Sequence, residues 1–219
     1  MIKITDLNKV FSDESNKVEI FKNLNIEVKS WDFISILWPS WSWKSTFLNL
    51  LGWIDRDYSW KIEILWNDIS KFWENEITEF RWKNISYIFQ NFKLIENLTV
   101  SENIDLVVQM NKLDRNFSND EILKIVWLSH YKDKYVYNLS WWEKQRVAIA
   151  RAFVWKTSLL LADEPTWALD QKNKKIIMDL IIELHKKTNN TIVMITHDYE
   201  VASISDLSYK TNELTLTKI

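Results

Sequence analysis

LWPSWSWKST, residues 37–46, is the stretch of this chain that decides its fold. If each Trp in it is replaced by Gly, the stretch becomes LGPSGSGKST, the pattern of a phosphate-binding loop between a strand and a helix. Such a loop points successive backbone N–H groups at the phosphates and needs residues without a Cβ, which only Gly supplies. The pattern therefore predicts a strand at 33–37, a phosphate-binding loop, and a helix that begins at Ser45.

The same exchange of Trp for Gly runs through the whole chain. There are 14 Trp and one Gly in 219 residues, whereas a soluble protein of this length ordinarily has about 15 Gly. Residues 139–143, LSWWE, become LSGGE, and residues 165–170, PTWALD, become PTGALD. Trp31 lies in a polar turn sequence and Trp127 follows an apolar helical stretch, and both contexts are typical of Gly. We interpret the sequence as a translation in which a codon that the organism reads as glycine, such as UGA, was rendered as tryptophan.

Composition and charge exclude several classes of protein. The net charge of −2 gives no electrostatic footprint for nucleic acid, so we expect no nucleic-acid partner. The absence of Cys excludes disulfides and fits a reducing cytoplasm. No apolar run is long enough to span a bilayer, and the N-terminus lacks the apolar centre of a signal peptide. We therefore expect a soluble, cytosolic protein.

Strands and helices alternate along the chain. Apolar patterns predict strands at 2–7, 18–21, 24–28, 33–37, 62–65, 85–89, 159–162 and 191–196, and a final hairpin within 209–219. Helices are predicted from 45, at 104–113, at 122–127, from 141 through 152 and at 174–186. This order indicates an α/β fold, that of a P-loop NTPase with a RecA-like parallel sheet, an N-terminal antiparallel β subdomain and an inserted helical subdomain. We predict one domain over 1–219, with the core and β subdomain at 1–90 and 155–219 and the helical subdomain at 91–154.

The predicted phosphate-binding loop supplies the first group of site residues. Lys44 is expected to reach the β- and γ-phosphates, and the Ser45 hydroxyl is expected to bind Mg²⁺. The phosphates of ATP are expected to lie against the loop and the helix N-terminus. The residues assigned to this cradle are Trp38, Pro39, Ser40, Trp41, Ser42, Trp43, Lys44, Ser45 and Thr46.

The ends of three further strands carry polar side chains. Asp163 and Glu164 follow a buried strand, where Asp163 is expected to hold Mg²⁺ and Glu164 to orient and deprotonate the attacking water. Gln90 follows the strand at 85–89, where its amide could contact both the metal and that water. His197 ends the last buried strand, near the expected place of the γ-phosphate. Taken singly, an acidic pair can merely cap the next element, a Gln is most often a surface residue, and a His is more often structural than catalytic.

These motifs occur together in the order and approximate spacing of ABC-type ATPase domains, which the chain resembles over essentially its whole length. The stretch 139–143 is the specific element, because other P-loop NTPases lack the LSGGE signature. The stretch 162–170, ADEPTWALD, with 18–24, 48–51 and 87–92, is most similar to the lipoprotein-releasing and macrolide-export branch.

The resemblance implies further roles. Phe11 matches the aromatic residue that stacks on adenine, although it could also be an ordinary apolar residue at a strand end. Two chains would pair head-to-tail around two ATP molecules, so that Ser140 and the amide of Trp142 complete the γ-phosphate site of the other chain. Asp170 would lie at that dimer interface and couple the two sites.

The resemblance also implies a membrane partner. Because the chain carries no membrane span, a transporter of this kind requires a separate integral-membrane permease, and the segment 90–97 would move against it at the inner face of the cell membrane. An ATPase coupled to a membrane complex in cell division is the alternative of the same class. ABC proteins of DNA repair or translation need coiled coils or tandem cassettes, which this chain lacks. If the Trp residues are literal, the chain would be an inactive module.

Overall fold

The computed structural model describes residues 1–12, 17–38, 44–52, 54, 59–212 and 215–218. Along these residues the elements are β1 (Ile2–Ser12), β2 (Lys17–Val28), β3 (Phe33–Leu37), α1 (Lys44–Leu51), β4 (Ser59–Ile64), β5 (Asn67–Asp68), α2 (Glu74–Asn84), β6 (Ile85–Ile88), α3 (Val100–Asn111), α4 (Asn119–Ile125), α5 (Trp141–Phe153), β7 (Leu159–Asp163), α6 (Gln171–Thr188), β8 (Thr191–Thr196), α7 (Tyr199–Ala202), β9 (Leu207–Asn212) and β10 (Thr215–Lys218). Short 3₁₀ turns lie at Ile69–Lys71, Ser129–Tyr131 and Val136–Asn138.

The chain forms two compact units. The first unit consists of Met1–Arg81 with Thr191–Ile219, and the second unit of Trp82–Asn190. In the first unit an antiparallel sheet has the strand order β2-β1-β4-β5, while β3 pairs in parallel with both β8 and β9, and β10 pairs antiparallel with β9. In the second unit β6 and β7 are parallel. The predicted α/β fold is therefore confirmed, whereas the predicted subdomain boundaries at 90/91 and 154/155 stay a prediction.

The buried strands and the capped helices follow from local sequence. All residues of β3 and β8 are buried, as expected for strands of a parallel sheet that is covered on both faces. Ser118 and Ser140 each form a capping box with the Glu three residues later, at the starts of α4 and α5. The helix expected at 104–113 begins earlier, at Val100, because its N-cap is Thr99.

Several elements differ from the predictions. The strands expected at 18–21 and 24–28 form one strand, β2, whose pairing with β1 contains register shifts. Helix α2 was not predicted, because only Ile77 of its residues is buried and an apolar stripe is therefore lacking. Within the described part of the chain, no helix combines the length and the hydrophobicity needed to cross a bilayer.

Three tryptophans adopt the left-handed backbone conformation, in turns whose geometry favours Gly. Trp127 has φ 55° and follows the C-cap of α4. The Trp127 amide donates to Lys124 O at 3.2 Å, and the amide of the next residue, Leu128, donates to Leu123 O at 2.8 Å. This pair of bonds is a Schellman motif, in which Gly is usual at the position of Trp127. Trp66, with φ 66°, is the second residue of the two-residue hairpin loop between β4 and β5. Trp31, with φ 70°, is the third residue of a turn.

Candidate functional site

In the first unit, the predicted phosphate-binding loop leaves the sheet beside His197. Leu37 at the end of β3 pairs with Thr196 at the end of β8, and the Trp38 amide donates to Thr196 O at 2.8 Å. The exposed side chain of His197 follows directly. Ligands of parallel α/β sheets bind beyond the carboxyl ends of the strands. The start of the loop and His197 thus meet at the edge where such a ligand would lie.

The loop itself is described only at its two ends. Trp38 is 4% exposed, and its indole lies 5.8 Å from the ring of Phe21 and 6.2 Å from the ring of Phe47. Lys44 and Thr46 lie in the first turn of α1 and are half-buried. Five assigned residues and two assigned side chains lie outside the described part of the chain: Pro39, Ser40, Trp41, Ser42 and Trp43, and the side chains of Phe11 and Ser45.

In the second unit, the structure brings Gln90 close to the acidic pair. Ile88 at the end of β6 pairs with Ala162 near the end of β7, so the two parallel strands end at the same edge. Gln90 follows β6 in a turn, and Asp163 is the last residue of β7; both side chains are half-buried. Gln90 and Asp163 therefore lie at the ends of adjacent strands, and the roles assigned to them stay predictions.

Glu164 is buried in a strained turn. Its side chain is 4% exposed, and its φ of 48° lies in the left-handed region that non-Gly residues rarely adopt. The turn that it opens is closed by a bond from the Trp167 amide to Glu164 O at 3.0 Å. Gln145 reaches the same turn from α5, since its Nε2 donates to Pro165 O at 2.6 Å.

The signature stretch begins α5. The Ser140 hydroxyl donates to the Glu143 carboxylate at 2.7 Å, and so does the Ser140 amide, also at 2.7 Å. Burial alone would raise the pKa of Glu143, but these bonds and one from Tyr131 outweigh it and hold the pKa below its usual value. The indole of Trp142 is half-buried and lies 5.0 Å from the guanidinium of Arg146. Ser140 is exposed at the helix N-terminus, where backbone N–H groups favour an anion.

Asp170 caps the start of α6. Its carboxylate accepts bonds from the Asn173 amide at 2.9 Å and from the Asn173 side chain at 2.8 Å. The side chain is exposed, and the coupling role that the resemblance implies for it stays a prediction.

One stripe of α5 packs against the segment that follows Gln90. The Arg151 guanidinium donates to Phe92 O at 2.5 Å and to Lys93 O at 2.6 Å. Both acceptor residues have positive φ, 52° and 50°. Lys144 pairs with Glu96 at 3.0 Å. Burial lowers the pKa of Arg151 to about 10. A cavity of about 270 Å³ lies here, with lining residues that include Asn91, Leu94 and Val136.

Gln145 and Arg151 were not singled out from the sequence, although both bind the backbone of segments that carry candidate site residues. Their acceptors are backbone carbonyls, whose positions carry no sequence signal. The sequence of α5 gives one hint, since Arg151 interrupts the apolar run at 147–153, whereas Gln145 stands among other polar residues.

Comparisons with known proteins found related sequences and related structures. The family described as ABC transporter matches residues 21–167. The chain is 35% identical over 206 residues to the bacitracin export ATP-binding protein BceA of Halalkalibacterium halodurans, covering 93% of this chain and 81% of that protein. It is 35% identical over 213 residues to the lipoprotein-releasing system ATP-binding protein LolD of Treponema denticola, covering 96% and 94%. A solved structure of the ATP-binding cassette MJ0796 of Methanocaldococcus jannaschii, a dimer in a post-hydrolysis state bound to ADP and Pi, superposes on this chain with a TM-score of 0.86. The two sequences are 31% identical, and the superposition covers 100% of this chain and 98% of the MJ0796 chain.

Proposed function

The chain belongs to the ABC transporter family, and from this premise we propose that it is an ATP-binding subunit that hydrolyses ATP as a head-to-tail dimer and drives a separate membrane permease. The permease would be of the lipoprotein-release or macrolide and peptide export type, and the subunit would work at the inner face of the cell membrane. The observation that carries the proposal is the placement of Gln90 and of the Asp163–Glu164 pair at adjacent ends of parallel strands. The named relatives act in bacitracin export and lipoprotein release, which supports the transport class.

The residues of the loop and of β7 would bind the nucleotide. Lys44 would neutralise the β- and γ-phosphates while the loop amides cradle them. The oxygen donors Ser45, Gln90 and Asp163 suit Mg²⁺, which is held by one or two carboxylates together with substrate phosphates. No cluster of three acidic or His side chains that could cage a metal occurs among the described residues, and such a site needs none. The ion, when bound, would supply charge neutralisation on the phosphates.

The catalytic step would depend on Glu164 and His197. Glu164 would accept a proton from the attacking water, and His197 would hold the γ-phosphate and the water in register. Phe11 would stack on adenine. The dimer would complete each site with Ser140 and the amide of Trp142 from the other chain, with Asp170 at the interface.

We further propose that the organism places glycine at the Trp positions. Three turns support this interpretation, because Trp31, Trp66 and Trp127 adopt the left-handed conformation at places where Gly is usual. Each of these indoles is also largely exposed, at 69%, 83% and 52%. An indole at Trp43, beside Lys44, would fill the space that the β-phosphate requires.

Peptide mass spectrometry on the protein from its native source tests the glycine assignment. The peptides to observe are Ser30–Lys44 and Tyr135–Lys144, and Gly is expected at every Trp position in them. Tryptophan masses in these peptides would refute the assignment and, with it, nucleotide binding by this loop.

An ATPase assay on the glycine-bearing protein tests the enzyme. We expect Mg²⁺-dependent hydrolysis that Glu164→Gln lowers by about 10²–10⁴-fold, since that is the usual contribution of a general base. ATP binding should persist in this variant. Glu183→Gln is the matched control, because Glu183 is exposed on α6 and its ion pair with Lys187, at 2.9 Å, lies within that helix. Equal activity of both variants and the parent would refute the role of Glu164.

A further inference from the structure

Helix α5 contains two adjacent buried polar side chains with different acceptors. Gln145 is 3% exposed and Arg146 is 8% exposed. Buried polar groups are found with hydrogen-bond partners because an unpaired one costs free energy. Gln145 donates to Pro165 O at 2.6 Å, whereas Arg146 donates to Val126 O at 3.0 Å and Trp127 O at 3.1 Å, at the end of α4. Neighbouring residues of one helix thus fix two separate segments.

The segment that Gln145 fixes is the turn that begins with Glu164. A non-Gly residue with φ 48° is strained and keeps this conformation only where its surroundings determine it. Within the turn, amide bonds run from Trp167 to Glu164 O at 3.0 Å and from Leu169 to Thr166 O at 3.2 Å. The Gln145 bond differs from these, because it ties the turn to a separate helix through the residue next to Glu164.

We propose that Gln145 is a positioning residue for hydrolysis, which holds the Glu164 turn in register with α5. The inference rests on the proposed function, in which Glu164 is the general base. Ser140 caps the same helix five residues earlier, a distance of about 7.5 Å along the axis at the helical rise of 1.5 Å per residue. In the proposed dimer, the N-terminus of α5 at Ser140 would contact the nucleotide of the other chain. About 1.4 turns later, Gln145 would hold the turn that carries the general base of its own chain. This places a direct mechanical link between the two ATP sites in α5.

The test removes the Gln145 donor while keeping the side-chain volume. In the glycine-bearing protein, Gln145→Met leaves Pro165 O without its partner, and Gln145→Glu does the same with nearly the same shape. Arg146→Met is the matched control, since it also removes bonds from a buried side chain of α5 to backbone carbonyls, but at the end of α4. We expect both Gln145 variants to lower kcat at least about tenfold with KM for ATP changed less than about twofold. Arg146→Met should keep kcat within about twofold of the parent.

A double variant separates positioning from general loosening of the fold. If Gln145 acts through Glu164, adding Gln145→Met to Glu164→Gln lowers the residual hydrolysis no further. An equal loss of kcat in both backgrounds, an equal loss in Arg146→Met, or no loss in the Gln145 variants would each overturn the inference. Hydrolysis that depends on Glu164 but not on Gln145 overturns this inference and leaves the proposed function standing. A parent that does not hydrolyse ATP overturns the proposed function as well.

Discussion

The exchange of Trp127 for Gly and for Ala gives a direct measure of the backbone strain at the end of α4. Trp127 is the αL residue of a Schellman motif, and its indole is 52% exposed. Both substitutions remove the same indole, so the difference in unfolding free energy between the Gly and Ala variants reports on the backbone alone. Trp82 is the matched control, because it is 40% exposed and lies inside α2, where φ is helical.

The expected difference has opposite signs at the two sites. At Trp127, a left-handed non-Gly residue costs about 1–2 kcal/mol, and the greater freedom of Gly in the unfolded chain offsets about 0.5–1 kcal/mol of that. Trp127→Gly should therefore be more stable than Trp127→Ala by about 0.5–1 kcal/mol. At Trp82, Gly should be less stable than Ala by about 0.8–1 kcal/mol, the usual difference in helix propensity.

Urea unfolding followed by far-UV circular dichroism measures these differences at all four variants. The quantity to compare is the shift of the midpoint at constant slope, since a changed slope would indicate a changed unfolded state. If Trp127→Ala is as stable as Trp127→Gly, or if Gly is favoured equally at Trp82, the reasoning from φ is wrong.

Three further perturbations follow from other contacts. Arg151→Met should lower the unfolding free energy by about 3 kcal/mol or more, because two bonds from a charged donor contribute about 1.5–3 kcal/mol each. Hydrogen exchange of the backbone amides at 91–96 should quicken, and unchanged protection there would contradict this. The pKa of Glu143 in the folded protein is held below its usual value, so ionised Glu143 stabilises the fold above that usual value, and the stabilisation is lost as the pH falls through the folded-state pKa. Glu143→Gln should therefore flatten the loss of thermal stability between about pH 5 and pH 3. An unchanged slope of Tm against pH would refute this expectation. Asp105→Ala should lower the unfolding free energy by about 1–2 kcal/mol in a urea titration, since it breaks a half-buried ion pair with Arg115. Asp114→Ala is the control, because it removes an exposed ion pair with Lys156 at 3.8 Å and should change the unfolding free energy little.

The sequence predicted the elements that bury apolar residues or carry clear caps. Strand β3 was predicted from a run of five apolar or small residues, and α5 from the residues at 141–152, because these signals are local. Helix α2 escaped prediction because eight of its eleven residues are polar and only Ile77 is buried, so no apolar stripe marks the helix.

The candidate site could be predicted in part for the same reason. Gln90 and the acidic pair became candidates because each follows a strand that the sequence predicted. The left-handed φ of Glu164 and the bond from Gln145 that supports its turn could not be predicted, because both depend on how α5 lies against a backbone carbonyl. A side chain that binds a backbone carbonyl requires no particular residue type at the acceptor, so the sequence carries no sign of the bond.

The turns at Trp31, Trp66 and Trp127 show why tryptophan conflicts with this fold and glycine does not. The loop at Trp66 has two residues because the register of β4 and β5 allows no more, and the bonds that end α4 place Trp127 at φ 55°. Surrounding hydrogen bonds thus set the backbone at these sites, whichever residue occupies them. A sequence whose local preferences oppose its global fold is frustrated, and natural sequences keep such conflicts few. With glycine, as proposed above, the conflict would be absent at each of these turns, and the same assignment would give residues 37–46 the sequence of a phosphate-binding loop.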